Sequence, residues 1–245
     1  MGMDLHVRQI LKKELDIISG RKVVCLCCFY NAVDHCAGLC AGRRVAEQPV
    51  LSADSMEAFL HELTHAYCHW LETKDRKFPM DCQLGQCENQ NVQLGYYVWK
   101  EFVAQTISLK ICKKNRIVPY TYTAADLSEC FQKIVSTDMA AGDIGMFFAE
   151  FFTSQRGKSQ NSMRLALFDC MNEQSDVIKD EIGVICDLLW PKFRKINLKR
   201  INVTFLEELG EYVSELQEET MAEVIERYQN LTRDELENIC LQTAS

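Results

Sequence analysis

Phe59-Leu60-His61-Glu62-Leu63-Thr64-His65-Ala66-Tyr67 is the stretch from which the rest of the chain is read. Its flanks are apolar, no proline interrupts it, and Ser52 or Ser55 stands upstream as a capping residue. A helix is expected from one of those serines to about Lys74. Residues four apart on a helix share a face, so the imidazoles of His61 and His65 can reach one metal ion. Neutral imidazole suits Zn²⁺, which prefers about four ligands, with nitrogen at roughly 2.0 to 2.1 Å. Glu62 follows the first histidine and points toward the ion's water without ligating the ion. Zinc lowers the pKa of such a water to about 7, and a neighbouring carboxylate can then take its proton.

A third ligand has to come from elsewhere in the chain. Glu101, in Tyr96-Tyr97-Val98-Trp99-Lys100-Glu101-Phe102-Val103-Ala104, is the leading candidate. It lies on an expected helix, beyond a connection long enough to bring the chain back beside the first. Apolar Trp99, Phe102 and Val103 surround it, and small Ala104 would allow close approach of two helices. A His₂Glu set is a known catalytic zinc arrangement. His69, Asp81 and Glu88 are the competitors. His69 lies eight residues after His61, and three ligands spread over two turns of a straight helix converge poorly. A structural or supporting role suits it better.

Outward from the motif, the chain reads as mostly helix. Residues 4–19 have helical periodicity and stop at Gly20, and 21–30 read as a buried strand. Residues 31–48 read as loop. Helices are expected over 92–113, from a weak capping box at Thr123 and Asp126, over 143–152, 163–174, 176–189 and 205–229, with a last short one capped by Thr232 and Glu235. Residues 118–122 read as a short strand. Polar Thr153 to Ser162 reads as a linker or exposed loop.

The run His61-Glu62-Leu63-Thr64-His65, followed at a distance by Glu101-Phe102-Val103-Ala104, resembles the gluzincin class of zinc metallopeptidases, and the short helical chain resembles the minigluzincins. The longer string ending Ala66-Tyr67-Cys68-His69 is similar to ImmA/IrrE-type peptidases. The likeness spans about residues 20–122. It implies His61, His65 and Glu101 as zinc ligands, Glu62 as general base and a peptide or protein as substrate. Thr64 departs from it, standing where that family usually has glycine. The expected fold is α+β but predominantly helical: a zincin-like domain over 1–152 with a small sheet, and a helical region over 163–245 that either joins it in one unit or stands apart. A zinc-binding regulatory protein with little proteolytic activity is the alternative function.

The remaining features bound this reading. With 245 residues, 47% of them hydrophobic, the chain can bury a substantial core. A net charge of −8 disfavours broad binding to nucleic acid or anionic membranes. No apolar stretch approaches the roughly 18 to 20 residues that cross a bilayer. With no signal peptide apparent, the thirteen cysteines read as thiols and the compartment as cytoplasmic. Cys25, Cys27, Cys28, Cys36 and Cys40 with His35 lack the paired spacing of a structural zinc site. Tyr67, Tyr96, Tyr97, Tyr120 and Tyr122 are all available to stabilise an oxyanion, and no spacing selects among them. The basic run Lys192 to Arg200 is expected to pair with the acidic helix carrying Glu207, Glu208, Glu211, Glu215, Glu218 and Glu219.

Overall fold

Residues 90–114 are apolar on almost every side, and a helix of that kind must be covered from several directions. In the computed structural model this is α1 (Gln90–Lys114), with Val92, Tyr96, Val98, Trp99, Phe102, Val103, Ile107 and Ile111 all buried. The structure describes residues 44–45, 48–49, 60–61, 64–65, 87–114, 124–136, 139–171, 174–196 and 202–230. After α1 come α2 (Ala124–Ile134), α3 (Ala141–Ser154), α4 (Gln160–Cys170), α5 (Asp176–Arg194) and α6 (Val203–Gln229). α1 is the central helix, flanked by α3 and α6, while α5 packs on α6 and α3.

The expectation of an α+β fold is corrected by this architecture. Among the described residues the one extended pairing is a two-residue antiparallel ladder, β1 (Arg44–Val45) on β2 (Gln48–Pro49), too short to wall a cleft. The core is helix on helix. The strands expected at 21–30 and 118–122, and the helices at 4–19 and after Thr232, lie outside the described residues.

Two close crossings set the geometry around α1. A Cβ on Gly95 would lie 1.9 Å from the Leu206 carbonyl oxygen, and one on Gly210 1.7 Å from that of Asn91. α6 can therefore meet α1 backbone to backbone only because neither residue has a side chain. Gly145 does the same for α3, where a Cβ would come 2.1 Å from the Val98 carbonyl oxygen. These contacts bring α3 alongside the turn of α1 that carries Glu101.

Local sequence explains most boundaries. Ser159 and Ser175 cap α4 and α5 by accepting from the amides of Ser162 and Ile178. The stretch expected as a linker is thus only a short exposed turn after Ser154, with Gly157 at a φ of 95°. α5 passes Pro191 and ends at Arg194 rather than 189. Proline deletes one backbone donor near the end of the helix, and burial of Trp190 and Phe193 on either side holds the last turn. Along α6 the apolar stripe from Phe205 to Leu216 is buried, whereas Met221 and Ile225 are 44% and 49% exposed. One hydrophobic cluster runs from Leu60 to Leu216.

The contact between α5 and α6 is acidic. Burial, then the charge and hydrogen bond of Glu215, push the Glu181 carboxyl up to about 7, with Asp180 and Glu219 adding to the effect. A carboxyl whose folded pKa exceeds its unfolded value contributes stability below the unfolded pKa. That contribution is lost as pH rises through the folded value. The native chain is therefore expected to lose Tm between pH 5 and pH 8.5. Glu181→Gln should recover ~1 kcal/mol of this after allowance for solvent screening, or roughly 2–4 °C. Thermal scans across that range check it; identical pH slopes for both proteins would refute it.

Candidate metal centre

Residues 60, 61, 64 and 65 are helical, and the Thr64 hydroxyl donates to the Leu60 carbonyl at 2.8 Å. One helical turn separates the two histidines, and their rings lie edge to face, 4.7 Å between centroids. His61 Nε2 and His65 Nε2 are 3.0 Å apart. Glu101 Oε2, from α1, lies 3.0 Å from the first and 3.1 Å from the second. These three donors form a near-equilateral triangle. Donors about 2.0–2.1 Å from one tetrahedral ion lie about 3.3 Å apart, so the triangle is close to the face such an ion would require. Among the described residues, His61, His65 and Glu101 are the one group of metal-ligating side chains gathered this tightly.

The surrounding hydrogen bonds orient the donors. His61 Nδ1 lies 2.8 Å from Gln105 Oε1, and Gln105 Nε2 donates to Glu150 Oε1 at 3.0 Å. A carboxylate accepts, so the Gln105 amide turns its nitrogen to Glu150 and its oxygen to His61. That oxygen calls for a proton on Nδ1, which leaves the Nε2 lone pair of a neutral ring facing Glu101 and His65. Cys130 Sγ donates to the other Glu150 oxygen at 3.7 Å. Burial, followed by the charge of Glu150, pushes the Cys130 thiol up to about 11, so it keeps its proton as a donor.

Glu101 remains an anion. Burial acts to raise its pKa, but hydrogen bonds and charges from His61 and His65, when those rings are protonated, outweigh burial and hold it well below the usual carboxylate range. The lone pair of His61 and the carboxylate oxygen would repel each other at 3.0 Å unless a cation or an additional proton lay between them. A divalent cation satisfies all three contacts at once. The donor set therefore fits Zn²⁺ in both chemistry and spacing.

The structure brings His61, His65 and Glu101 together. Glu62, His69, Asp81, Tyr67, Tyr120, Tyr122, Cys25–Cys40 and His35 lie outside the described residues. Glu88 is exposed and not part of the group, Tyr96 is buried, and Tyr97 is 42% exposed. Gln105 and Glu150 were not anticipated, although both leave a trace in the sequence. Gln105 is one turn beyond Glu101, hence on the same face. Glu150 is a lone carboxylate inside Phe147-Phe148-Ala149-Glu150-Phe151-Phe152; it is only 3% exposed, and a buried charge at such a position requires dedicated partners. The expected pairing of the basic run with the acidic helix rests in part on Lys199 and Arg200, which lie outside the described residues. Among the described residues, Lys192 lies over the Phe205 ring at 4.6 Å and Arg194 lines a cavity; neither pairs with a glutamate of α6.

Gln105→Leu removes the acceptor that orients His61 and strips Glu150 of a donor. Zinc affinity is expected to fall about 10–100-fold, the usual effect of losing a ligand's orienting partner. Competition against a chromophoric chelator measures this, and unchanged affinity would detach Gln105 from the site.

No protein-family model, no curated protein and no solved structure matches the chain. The described residues form a helical core in which His61, His65 and Glu101 make a group able to hold a metal ion. Among the described residues, no helix is long and apolar enough to cross a membrane.

Proposed function

We propose that the chain is a zinc-dependent peptidase in which His61, His65 and Glu101 hold the ion and Glu62 is the general base. The convergence of two Nε2 atoms and one carboxylate oxygen within 3.0–3.1 Å of one another carries the reading. Its further support is Glu62, which directly follows the first ligand in the chain. A zinc ion held there supplies Lewis acidity, making water acidic near neutral pH and polarising a carbonyl. Glu62 takes a proton from the attacking water and delivers it to the leaving amine. Gln105 and Glu150 keep the His61 ring turned with its Nε2 lone pair inward. Three protein donors among the described residues, rather than the four of a closed structural site, suit catalysis.

A specific observation favours the second reading, a zinc-holding regulatory protein with little turnover. The side chains of His61 and His65 are only 10% and 7% exposed, and that of Glu101 21%, so substrate access is narrow. One experiment separates the two. Zinc-loaded full-length chain is incubated with a quenched-fluorescent peptide library, beside Glu62→Gln. The peptidase reading expects cleavage that falls by about 10²–10⁴-fold in the variant, with one zinc per chain retained in both. Cleavage that persists undiminished in Glu62→Gln refutes the mechanism, and zinc retention without cleavage favours the regulatory reading.

A further inference from the structure

Beyond the metal centre, a cavity of about 590 Å³ is lined by Lys110 of α1, Arg156 and Lys158 of the turn after α3, and Trp190, Phe193 and Arg194 at the end of α5. Among the described residues, four lining side chains are cations and none is an acid, in a chain of net charge −8. Among the described residues none of the four is ion-paired with a carboxylate. The nearby Asp187 is engaged elsewhere, by Arg164 at 2.9 Å and Gln160 at 3.0 Å. Lys110 is fixed in place: its Nζ donates to the Phe193 carbonyl at 2.7 Å and lies 4.6 Å from the centre of that ring. Lys110 is nine residues beyond Glu101, which helix geometry places about 14 Å along α1 and on its opposite face. The cavity is therefore separate from the metal centre.

We infer that this cavity is a binding site for a small anion carrying two or more phosphoryl groups, held by Arg156, Lys158, Arg194 and Lys110. Its volume lies within the roughly 300–1,000 Å³ of small-molecule sites, more than a single inorganic anion needs. The planar guanidinium groups of Arg156 and Arg194 match phosphoryl oxygens in pairs, whereas Lys110 and Lys158 act as point charges. Gly157 and Ser159, the N-cap of α4, also line the cavity, which puts it near the positive end of that helix. Burial, then the charge of Arg156, push Lys110 down to about 8, a mutual repulsion that a bound anion relieves. Arg194, at the end of α5, thus acquires a role.

The test is calorimetric titration of the full-length chain with inorganic pyrophosphate and, separately, with ATP, at low and at physiological salt. The Arg156→Ala/Arg194→Ala double variant alters exposed side chains only and leaves the core intact, as circular dichroism will verify. Binding of at least one probe is expected, weakened at least 10-fold in the double variant. Lys192→Ala, which removes a cation from the same helix end but outside the cavity, should leave the affinity within about 3-fold. Absence of binding by both probes at millimolar concentration overturns the site. So does equal affinity in the double variant, or an equal loss in Lys192→Ala, which would mark non-specific attraction to surface charge. Tighter binding of ATP than of pyrophosphate would identify an organic phosphate as the occupant; equal affinities would identify the phosphoryl groups alone as what is recognised.

Discussion

The Glu101→Ala chain is expected to retain almost no zinc under conditions in which the native chain retains one ion. Apparent binding energies of protein zinc sites are on the order of 10 kcal/mol or more. An even share among three protein ligands is about 3 kcal/mol, or on the order of 10²-fold in affinity. Glu101 should exceed that share, because it contributes the only formal charge among the three donors. Its loss also leaves the Nε2 atoms of His61 and His65 3.0 Å apart without the carboxylate that bridges them. Glu101→Gln keeps the shape and removes the charge, and should weaken binding in the same direction. Metal content after dialysis against a calibrated zinc buffer gives the stoichiometry. Thermal melts supply a second readout: zinc at 100 times its dissociation constant stabilises the native chain by about 2.7 kcal/mol, a shift that Glu101→Ala should lack. If both variants bind zinc as the native chain does, Glu101 is not a ligand.

Phe152→Ala is expected to produce the largest loss of stability, about 3–5 kcal/mol. Phe152 is fully buried and joins three helices. Its ring lies 6.1 Å from that of Phe102 on α1, 5.3 Å from Trp190 and 5.4 Å from Phe193 on α5. Phe148 and Phe151 flank it on its own helix at 5.5 and 6.0 Å. So many rigid rings cannot collapse into the space that a benzyl group vacates, so most of the cavity persists and its cost with it. Against a total stability of roughly 5–15 kcal/mol, the variant should melt about 10 °C lower. Leu165→Ala, at a residue 65% exposed, should stay within about 0.5 kcal/mol of the native chain. Equal melting points for Phe152→Ala and Leu165→Ala would show that the aromatic cluster is not the centre of the core.

Phe152 and Glu150 also show how the site depends on the core. The phenylalanines of α3 anchor that helix against α1 and α5, and Gly145 lets its backbone lie on α1. Glu150 is carried to Gln105 by this packing. A change in the core is therefore transmitted to the orientation of His61, two hydrogen bonds away.

The helices were legible because their signals are local. Apolar periodicity and capping serines act within a few residues, so most segments from α1 to α6 could be located from the sequence, with ends displaced by a few positions. The displaced ends have specific causes. α4 starts at Gln160 because Ser159 caps it, inside a stretch whose polarity suggests a loop. α5 outlasts Pro191 because burial of Phe193 outweighs one lost backbone bond. The α+β fold was misjudged because strand propensity is a weak guide to tertiary partners; the described core is helix on helix, and the runs read as strands, 21–30 and 118–122, lie outside the described residues.

By itself the sequence determined what a helical turn determines: His61 and His65 on one face, Glu62 beside them, and Glu101 and Gln105 on one face of a second helix. Tertiary structure decided which carboxylate meets the imidazoles, that Gln105 and Glu150 orient His61, that the described core is helical throughout, and that Arg194 of α5 gathers with Arg156, Lys158 and Lys110 around a cavity. The reason is physical. Spacing along a helix follows from 3.6 residues per turn, whereas contacts between helices follow from where backbones can cross, and here glycines 95, 145 and 210 set those crossings.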